Sequence, residues 1–230
     1  MALNYNQEQR TAEWFRSRLG KITGSKVGVI MKSGRGKNDI FSATAKSYLY
    51  QVAGERVLSP GIVNDDEMFA YYIEQTSVTS KAMRFGTEQE ENARACYSKI
   101  TGNDVTEVGL CIHPEIPYYA SSPDGVVENG RGCVEIKCPG VSTFVQYAAE
   151  IKDGDSLMNV NPVYYYQCQS HMACTGAVYC DFITYCPFVA NPIHIVRIER
   201  DENIIAAMIE RIKLAEGVIT ELLNNLNSQE

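Results

Sequence analysis

Residues Ser121 to Pro139 read SSPDGVVENGRGCVEIKCP. Asp124 precedes the turn residues Asn129-Gly130-Arg131-Gly132, and Glu135, Ile136 and Lys137 follow them. Asn-Gly between two β-rich runs is a strong hairpin signal. Gly125–Glu128 and Cys133–Cys138 are therefore expected as paired strands, with Asp124 at the start of one and Glu135 on the other. That pairing lets both carboxylates reach one face near the same level. Two carboxylates so close repel unless something positive sits between them. Oxygen-only ligands suit a hard cation such as Mg²⁺ or Mn²⁺. Lys137 points to the same side of the strand as Glu135 and lands beside the ion, where an ammonium holds or activates a water. Ile136 points the other way, into the core, leaving its main-chain carbonyl to face the ion. Metal, lysine and water together are the parts for attack on a phosphodiester.

The bare pattern P-D…(D/E)-x-K is loose, and an exposed hairpin with a surface Glu–Lys pair would also satisfy it. Three features favour a nuclease site. The turn places the two halves on paired strands. The neighbours Val126, Val127, Cys133, Val134 and Ile136 are apolar enough for a buried sheet. A third acid, Glu90, lies on an expected helix that could supply another ligand or hold a water.

Outward from the hairpin, the chain is α-rich before it and mixed after it. Helices are expected over Asn6–Arg18, Phe41–Val52, Asp65–Gln75 and Met83–Ile100, the last ended by Gly102. Ile22–Val27 reads as a turn opening another helix, with Thr23 or Ser25 near its N-cap. Ser33–Lys37 reads as a basic loop. Val105–His113 and Tyr118–Ser121 read as further short strands. After Pro139, helices are expected over Thr143–Ile151 and Pro162 to about Thr175. Strands follow over Val178–Cys186 and Ile193–Arg200. Asp201 then caps a terminal helix to about Asn224. This order implies an α/β (α+β) fold, a central mixed β-sheet flanked by helices, with residues 1–230 forming one domain.

Of the 230 residues, 45% are apolar and 21% charged, an ordinary globular balance. No run approaches the apolar length of a membrane span, and the N-terminus has no secretory apolar segment. Cys168, Cys174, Cys180 and Cys186 recur every six residues. That step does not bring thiolates to one point on a helix or a strand, and there is no C-x-x-C pair. The eight cysteines therefore read as reduced, small core residues rather than metal ligands. A net charge of −7 argues against non-specific wrapping of nucleic acid. Yet Trp14 to Lys37 holds seven basic residues (Arg16, Arg18, Lys21, Lys26, Lys32, Arg35, Lys37) and no acid. Such a stretch is an anion site or a solvated loop.

Four segments, in order, give the chain a resemblance. Trp14–Ser25 is close to W-x-x-x-R-x-G-x-I-T-A-S, with Gly24 in place of the alanine. Phe85–Arg94 matches a G-x-x-x-E-x-x-A helix, Ser121–Pro139 matches S-P-D-G…E-x-K-C-P, and Tyr166–Met172 matches Q-x-Q on a helix. The chain thereby resembles the viral recombination exonucleases typified by the lambda phage exonuclease, within the restriction-endonuclease-like nuclease superfamily. The segment Gly54–Val63, the acidic run Asn64–Glu67 and the final quarter have no motif counterpart.

The resemblance implies a restriction-endonuclease-like core and 5′ to 3′ degradation of one strand of duplex DNA, leaving a 3′ overhang. It implies that Asp124, Glu135 and the Ile136 carbonyl bind two Mg²⁺ or Mn²⁺ ions, with Glu90 on the second metal or its water. Lys137 would position the nucleophilic water. Arg18 and Ser25, with Ser122 beside them, would grip the terminal 5′-phosphate. Gln169 would contact the scissile phosphate or a ligand, with Gln167 the less certain member of the pair. Met83 is a wedge candidate against the terminal base pair. His171 and His113 read as satisfied core or surface histidines, and Tyr164, Tyr165 and Tyr166 as packing aromatics.

The implied partners are duplex DNA ends, a single-strand annealing recombinase and two further copies of the chain in a ring-shaped homotrimer. The implied setting is the cytoplasm of a bacterial host, with the protein encoded by phage or prophage. Two other readings stay open. One is a structure- or site-specific endonuclease of the same superfamily, for which an end-phosphate pocket would be useless. The other is a non-catalytic DNA-end-binding protein, for which Asp124, Glu135 and Lys137 would be needless.

Overall fold

The computed structural model describes residues 7–36, 39–77 and 80–228. The hairpin forms as β4 (Gly125–Val127) and β5 (Gly132–Lys137), antiparallel, with Gly125 opposite Val134 and Val127 opposite Gly132. The turn runs through left-handed backbone at Glu128 (φ 50°), Asn129 (φ 56°) and Gly130 (φ 87°). Asn and Gly tolerate that region better than most residues. Gly132 belongs to β5 rather than to the turn. A Cβ there would collide with the Tyr179 ring, so glycine lets that ring lie against the strand.

β5 pairs in parallel with β6 (Tyr179–Tyr185), which pairs antiparallel with β7 (Ile193–Glu199). The resulting order is β4-β5-β6-β7. Helix α6 (Lys81–Thr101) covers one face, where Ala93 and Tyr97 pack with Val134, Ile136 and Ile183. Helices α9 (Pro162–Thr175) and α10 (Glu202–Asn227) cover the other, around Cys133, Cys168, Met172, Cys180, Phe182 and Met208. All eight cysteines are free thiols. Asn161 and Gly176 set the limits of α9. The Asn161 side chain accepts from the Tyr164 N–H, Pro162 opens the helix, and Gly176 ends it in left-handed backbone.

The strands form two mixed sheets where one was expected. β1 (Ile22–Thr23), β2 (Cys111–Ile112) and β3 (Tyr119–Ser121) make a small separate sheet in the order β1-β3-β2. Around it lie α1 (Ala12–Arg18), α2 (Gly24–Ile30) and α3 (Ala43–Arg56). The remaining helices are α4 (Pro60–Val63), α5 (Asp66–Thr76), α7 (Val141–Glu150) and α8 (Gly154–Val160).

Two of the expected elements change most, and Ile22–Thr23, expected as a turn, is β1. The first helix starts at Ala12, capped by Thr11, because Arg10 adopts φ 68° and cannot continue a helix; Asn6 lies outside the described residues. Val105–His113 is not one strand. Thr106 bridges Val126, and only Cys111–Ile112 pairs regularly. Between them the backbone is taken by side chains of the N-terminal segment. Gln9 Nε2 donates to the Val108 carbonyl (2.7 Å), and the Leu110 N–H donates to Gln7 Oε1 (2.9 Å). Among the described residues no helix is long and apolar enough to cross a membrane.

Candidate active site

The β4–β5 register carried one step further sets Asp124 opposite Glu135. The Asp124 N–H donates to the Val134 carbonyl (3.0 Å), and Asp124 Oδ2 accepts from the Ile136 N–H (2.6 Å). In a strand, the N–H and C=O of one residue point to the same edge. The Ile136 carbonyl therefore shares the Asp124 edge, while its side chain is buried against α6. Glu135 is 1% exposed. Its Oε2 meets His171 Nε2 at 2.6 Å. Its Oε1 forms an ion pair with the Lys137 ammonium but accepts no well-aligned hydrogen bond. The ammonium also sits 4.8 Å from the centre of the Tyr164 ring, a cation–π distance.

The electrostatics follow from this crowding. Burial and the neighbouring Glu135 push the Asp124 carboxyl well above its ordinary pKa; Glu90 adds to the shift, and Lys137 and the Ile136 amide only partly oppose it. For Glu135, burial alone would raise the pKa, but the Lys137 ammonium and His171 outweigh it and hold the group below its ordinary value. Lys137 moves the other way. Burial would lower its pKa, yet Glu135 and Asp124 together raise it. Lys137 is therefore held here as an ammonium.

Glu90, the expected third acid, is near enough to act on Asp124, but its Oε1 accepts from Arg10 Nη2 at 2.6 Å. Arg10, a residue that the motifs did not single out, thus closes that side of the cluster. The donor set is two facing carboxylates and a main-chain carbonyl, all oxygen. One carboxylate is destabilised by the other, and a buried carboxylate oxygen lacks a proper hydrogen bond. A hard divalent cation suits this arrangement. Among the described residues no cluster of three or more His, Cys, Asp or Glu side chains is set up as a metal cage; the oxygens that converge here are those of two carboxylates and one main-chain carbonyl.

The basic stretch divides by partner. Arg16 is engaged by the segment without motif counterpart: it donates to the Val63 carbonyl (2.9 Å), pairs with Asp66 (2.6 Å) and lies over Phe69. Lys37 lies outside the described residues. Arg18 instead stacks on Trp14, 4.1 Å from ring centre to guanidinium. Burial lowers its pKa, and Tyr48 and Glu55 partly offset this. Trp14 Nε1 in turn donates to Ser122 Oγ (3.1 Å). Ser25 lies in the first turn of α2, just past Thr23, which pairs with Ala120 of the strand leading to Ser122. Trp14 thus links Arg18 to Ser122, and Ser25 opens α2 from the strand paired with the one that leads to Ser122.

Gln169 does not join the site. It is fully buried, its Nε2 donates to the Glu199 carbonyl (2.9 Å), and its Oε1 accepts from the Asp201 N–H (3.0 Å). It pins the end of β7 to the cap of α10. On α9 the face toward Lys137 and Glu135 carries Tyr164 and His171. Gln167 shares that face by its i+3 spacing from Tyr164, whereas Gln169 points roughly 140° away. Of the pair, Gln169 is committed to Glu199 and Asp201, and Gln167 is the one whose spacing puts it on the Tyr164 and His171 side of the helix. His113 stacks on Tyr119 and accepts from the Glu115 N–H, away from the cluster. Met83 is 58% exposed in the first turn of α6, and nearby Phe85 stacks on Phe188. The residues that the sequence reading missed are Arg10, Trp14 as a platform, and His171 as a partner of Glu135. The spacing of Tyr164 and His171 on one helical face was the available signal for the last.

The YqaJ-like viral recombinase domain family matches residues 13–178. The fold is similar to that of an alkaline exonuclease, LHK-Exo, from Laribacter hongkongensis. The two are 32% identical, over 95% of this chain and 97% of that one, with a TM-score of 0.77. A structure of LHK-Exo in complex with dAMP matches equally well. A phage-related exonuclease from Haemophilus somnus 129PT, 16% identical, shares the fold with a TM-score of 0.63 over 90% of this chain and 96% of that one. No curated protein sequence matches the chain at a significant level.

Proposed function

This chain belongs to the YqaJ-like viral recombinase domain family, and from that membership we propose that it is a divalent-metal-dependent deoxyribonuclease that resects duplex DNA from its 5′ ends. One observation carries the reading: Asp124 faces Glu135 across a hairpin, with the Lys137 ammonium against Glu135. The likeness to LHK-Exo and its complex with dAMP support an exonuclease that yields mononucleotides.

Asp124, Glu135 and the Ile136 carbonyl would hold the cation, in one or two sites, with Glu90 released from Arg10 to serve the second. A bound cation supplies Lewis-acid polarisation of the phosphate and a more acidic water. Hydrolysis would join the water oxygen to the phosphorus that links the terminal nucleotide to its neighbour and break the bond to the terminal nucleotide's own 3′ oxygen. That oxygen leaves as a hydroxyl with a proton from the water, while the neighbour keeps the new 5′-phosphate. The Lys137 ammonium donates to that water or to the phosphate and offsets the charge that grows on it. Gln167, on the same side of α9 as Tyr164 and His171 by its spacing, would add a polar amide beside them. Arg18, held flat on Trp14, grips the terminal 5′-phosphate through paired N–H groups, with Ser25 and Ser122 adding hydroxyls. Met83, exposed at the start of α6, wedges the terminal base pair.

The 3′ overhang would pass to a single-strand annealing protein. A ring of three copies would reconcile the net charge of −7 with DNA binding, by confining the basic surface to a channel. The test is a duplex labelled separately at its 5′ and 3′ termini, digested with and without EDTA. The proposal expects early release of the 5′ label as mononucleotide, spared closed circles and no release in EDTA. Cutting of closed circles, or prior loss of the 3′ label, overturns it.

A further inference from the structure

We propose that His171 is a positioning residue that fixes which oxygen of Glu135 is presented to the cation site; the inference rests on the nuclease reading above. His171 is 1% exposed and uses both ring nitrogens. Nε2 lies 2.6 Å from Glu135 Oε2, and Nδ1 lies 2.7 Å from Ser121 Oγ. Ser121 is equally buried and ends β3. Across from it stands Gly24, where a Cβ would collide with the Ser121 hydroxyl and crowd Ser170. The relay thus joins the small sheet, α9 and β5, with the hydroxyl at its far end held by packing.

The direction of the hydrogen bonds follows from the groups. Beside the Lys137 ammonium, Glu135 is a carboxylate and only accepts, so Nε2 donates to it. The Ser121 hydroxyl can donate to or accept from Nδ1 and so closes the other end of the ring in either case. The consequence falls on Glu135. With Oε2 engaged, the carboxylate plane cannot turn freely, and Oε1 stays on the Lys137 side without a well-aligned donor of its own. That is the oxygen left for a cation. Partners one shell out from a metal ligand orient it in this way, and losing one costs about 10–100-fold in metal affinity or activity.

The test compares the parent with His171→Leu, His171→Gln and Ser121→Ala, all checked for folding by circular dichroism and thermal melting. Two quantities are read: direct Mn²⁺ binding by calorimetry without DNA, and the Mn²⁺ dependence of nucleotide release. His171→Leu is expected to weaken Mn²⁺ binding about 10-fold or more and to lower kcat about 10–100-fold. The preference for 5′-phosphoryl over 5′-hydroxyl ends should not change. His171→Gln, which keeps a donor for Oε2, is expected to recover part of both. Ser121→Ala is expected to shift both in the direction of His171→Leu, by less, and it alone decides the matter if the leucine variant does not fold. Parent-like Mn²⁺ binding and kcat in folded Ser121→Ala and His171→Leu overturn the inference alone. A parent that neither binds Mn²⁺ nor releases nucleotides overturns the nuclease reading itself.

Discussion

Asp124 Oδ2 accepts a 2.6 Å hydrogen bond from the Ile136 N–H, one residue beyond the Glu135 that it faces. The contact replaces a rung of the β ladder at the point where β4 has not yet begun. It aims the Asp124 carboxylate at the edge of β5, and it places the Ile136 carbonyl on that edge as well. Two carboxylates, one carbonyl and the Lys137 ammonium therefore converge because a hairpin register is continued by a side chain.

Lys137 is the group whose removal should separate binding from chemistry. Lys137→Ala leaves Glu135 without its ammonium and removes the donor that offsets charge on the phosphate. Nucleotide release should fall about 10²–10³-fold, while duplex-end binding in a filter assay stays close to the parent. Normal turnover in this variant would discard the assigned role.

Arg18 should govern the choice of end. Hydrogen bonds to charged groups are worth about 1.5–3 kcal/mol. Arg18→Ala should therefore reduce the ratio of rates on 5′-phosphoryl and 5′-hydroxyl duplexes by about 10-fold or more. Arg16→Ala should leave that ratio alone, since Arg16 is committed to Val63 and Asp66. An unchanged ratio in Arg18→Ala would remove the pocket assignment.

Metal-free protein should carry a pH signature of Asp124. Its pKa in the fold lies well above the ordinary value, chiefly from burial and from Glu135. Between the ordinary value, about 3.9, and the raised one, the folded chain keeps a proton that the unfolded chain has lost. Unfolding then releases a proton, so stability falls as pH rises through that window. In EDTA, the melting temperature of the parent should decline relative to Asp124→Asn as pH is raised from about 4 toward neutral. Mn²⁺ at neutral pH should raise the parent selectively. Parallel melting curves for the two proteins across pH would count against the crowded carboxylates.

The two glutamines of α9 should part company. Gln169→Leu strands the Glu199 carbonyl and the Asp201 N–H, at a cost of about 2–3 kcal/mol, or about 5–10 °C in melting temperature. Gln167→Ala should melt like the parent and release nucleotides more slowly. The reverse pattern in paired melting and activity assays would restore Gln169 to the site.

What the sequence made legible was local. Asn129-Gly130 announced the hairpin, Pro162 marked the start of α9, Gly102 ended α6, and Asp201 capped α10, because each signal acts within a few residues. The facing of Asp124 and Glu135 was legible for the same reason, since a short turn fixes its own register. What stayed hidden depends on partners far along the chain. Val105 to His113 looks like a strand, yet before Cys111 its backbone is engaged by Gln7, Gln9 and one bridge. Nothing near Glu90 marks Arg10 as its partner. The division into two sheets and the meeting of His171 with Glu135 are decided by how α9 lies across both. A motif that names a glutamine pair does not say that Gln169 is spent on Glu199 and Asp201; the register of α9 decides that.

The most direct test is anomalous diffraction at the manganese edge from crystals of this protein grown or soaked with Mn²⁺. The account predicts a peak bounded by the Asp124 and Glu135 carboxylates and the Ile136 carbonyl, with the Lys137 ammonium beside it. A well-occupied crystal with manganese elsewhere and none between those two carboxylates would contradict it.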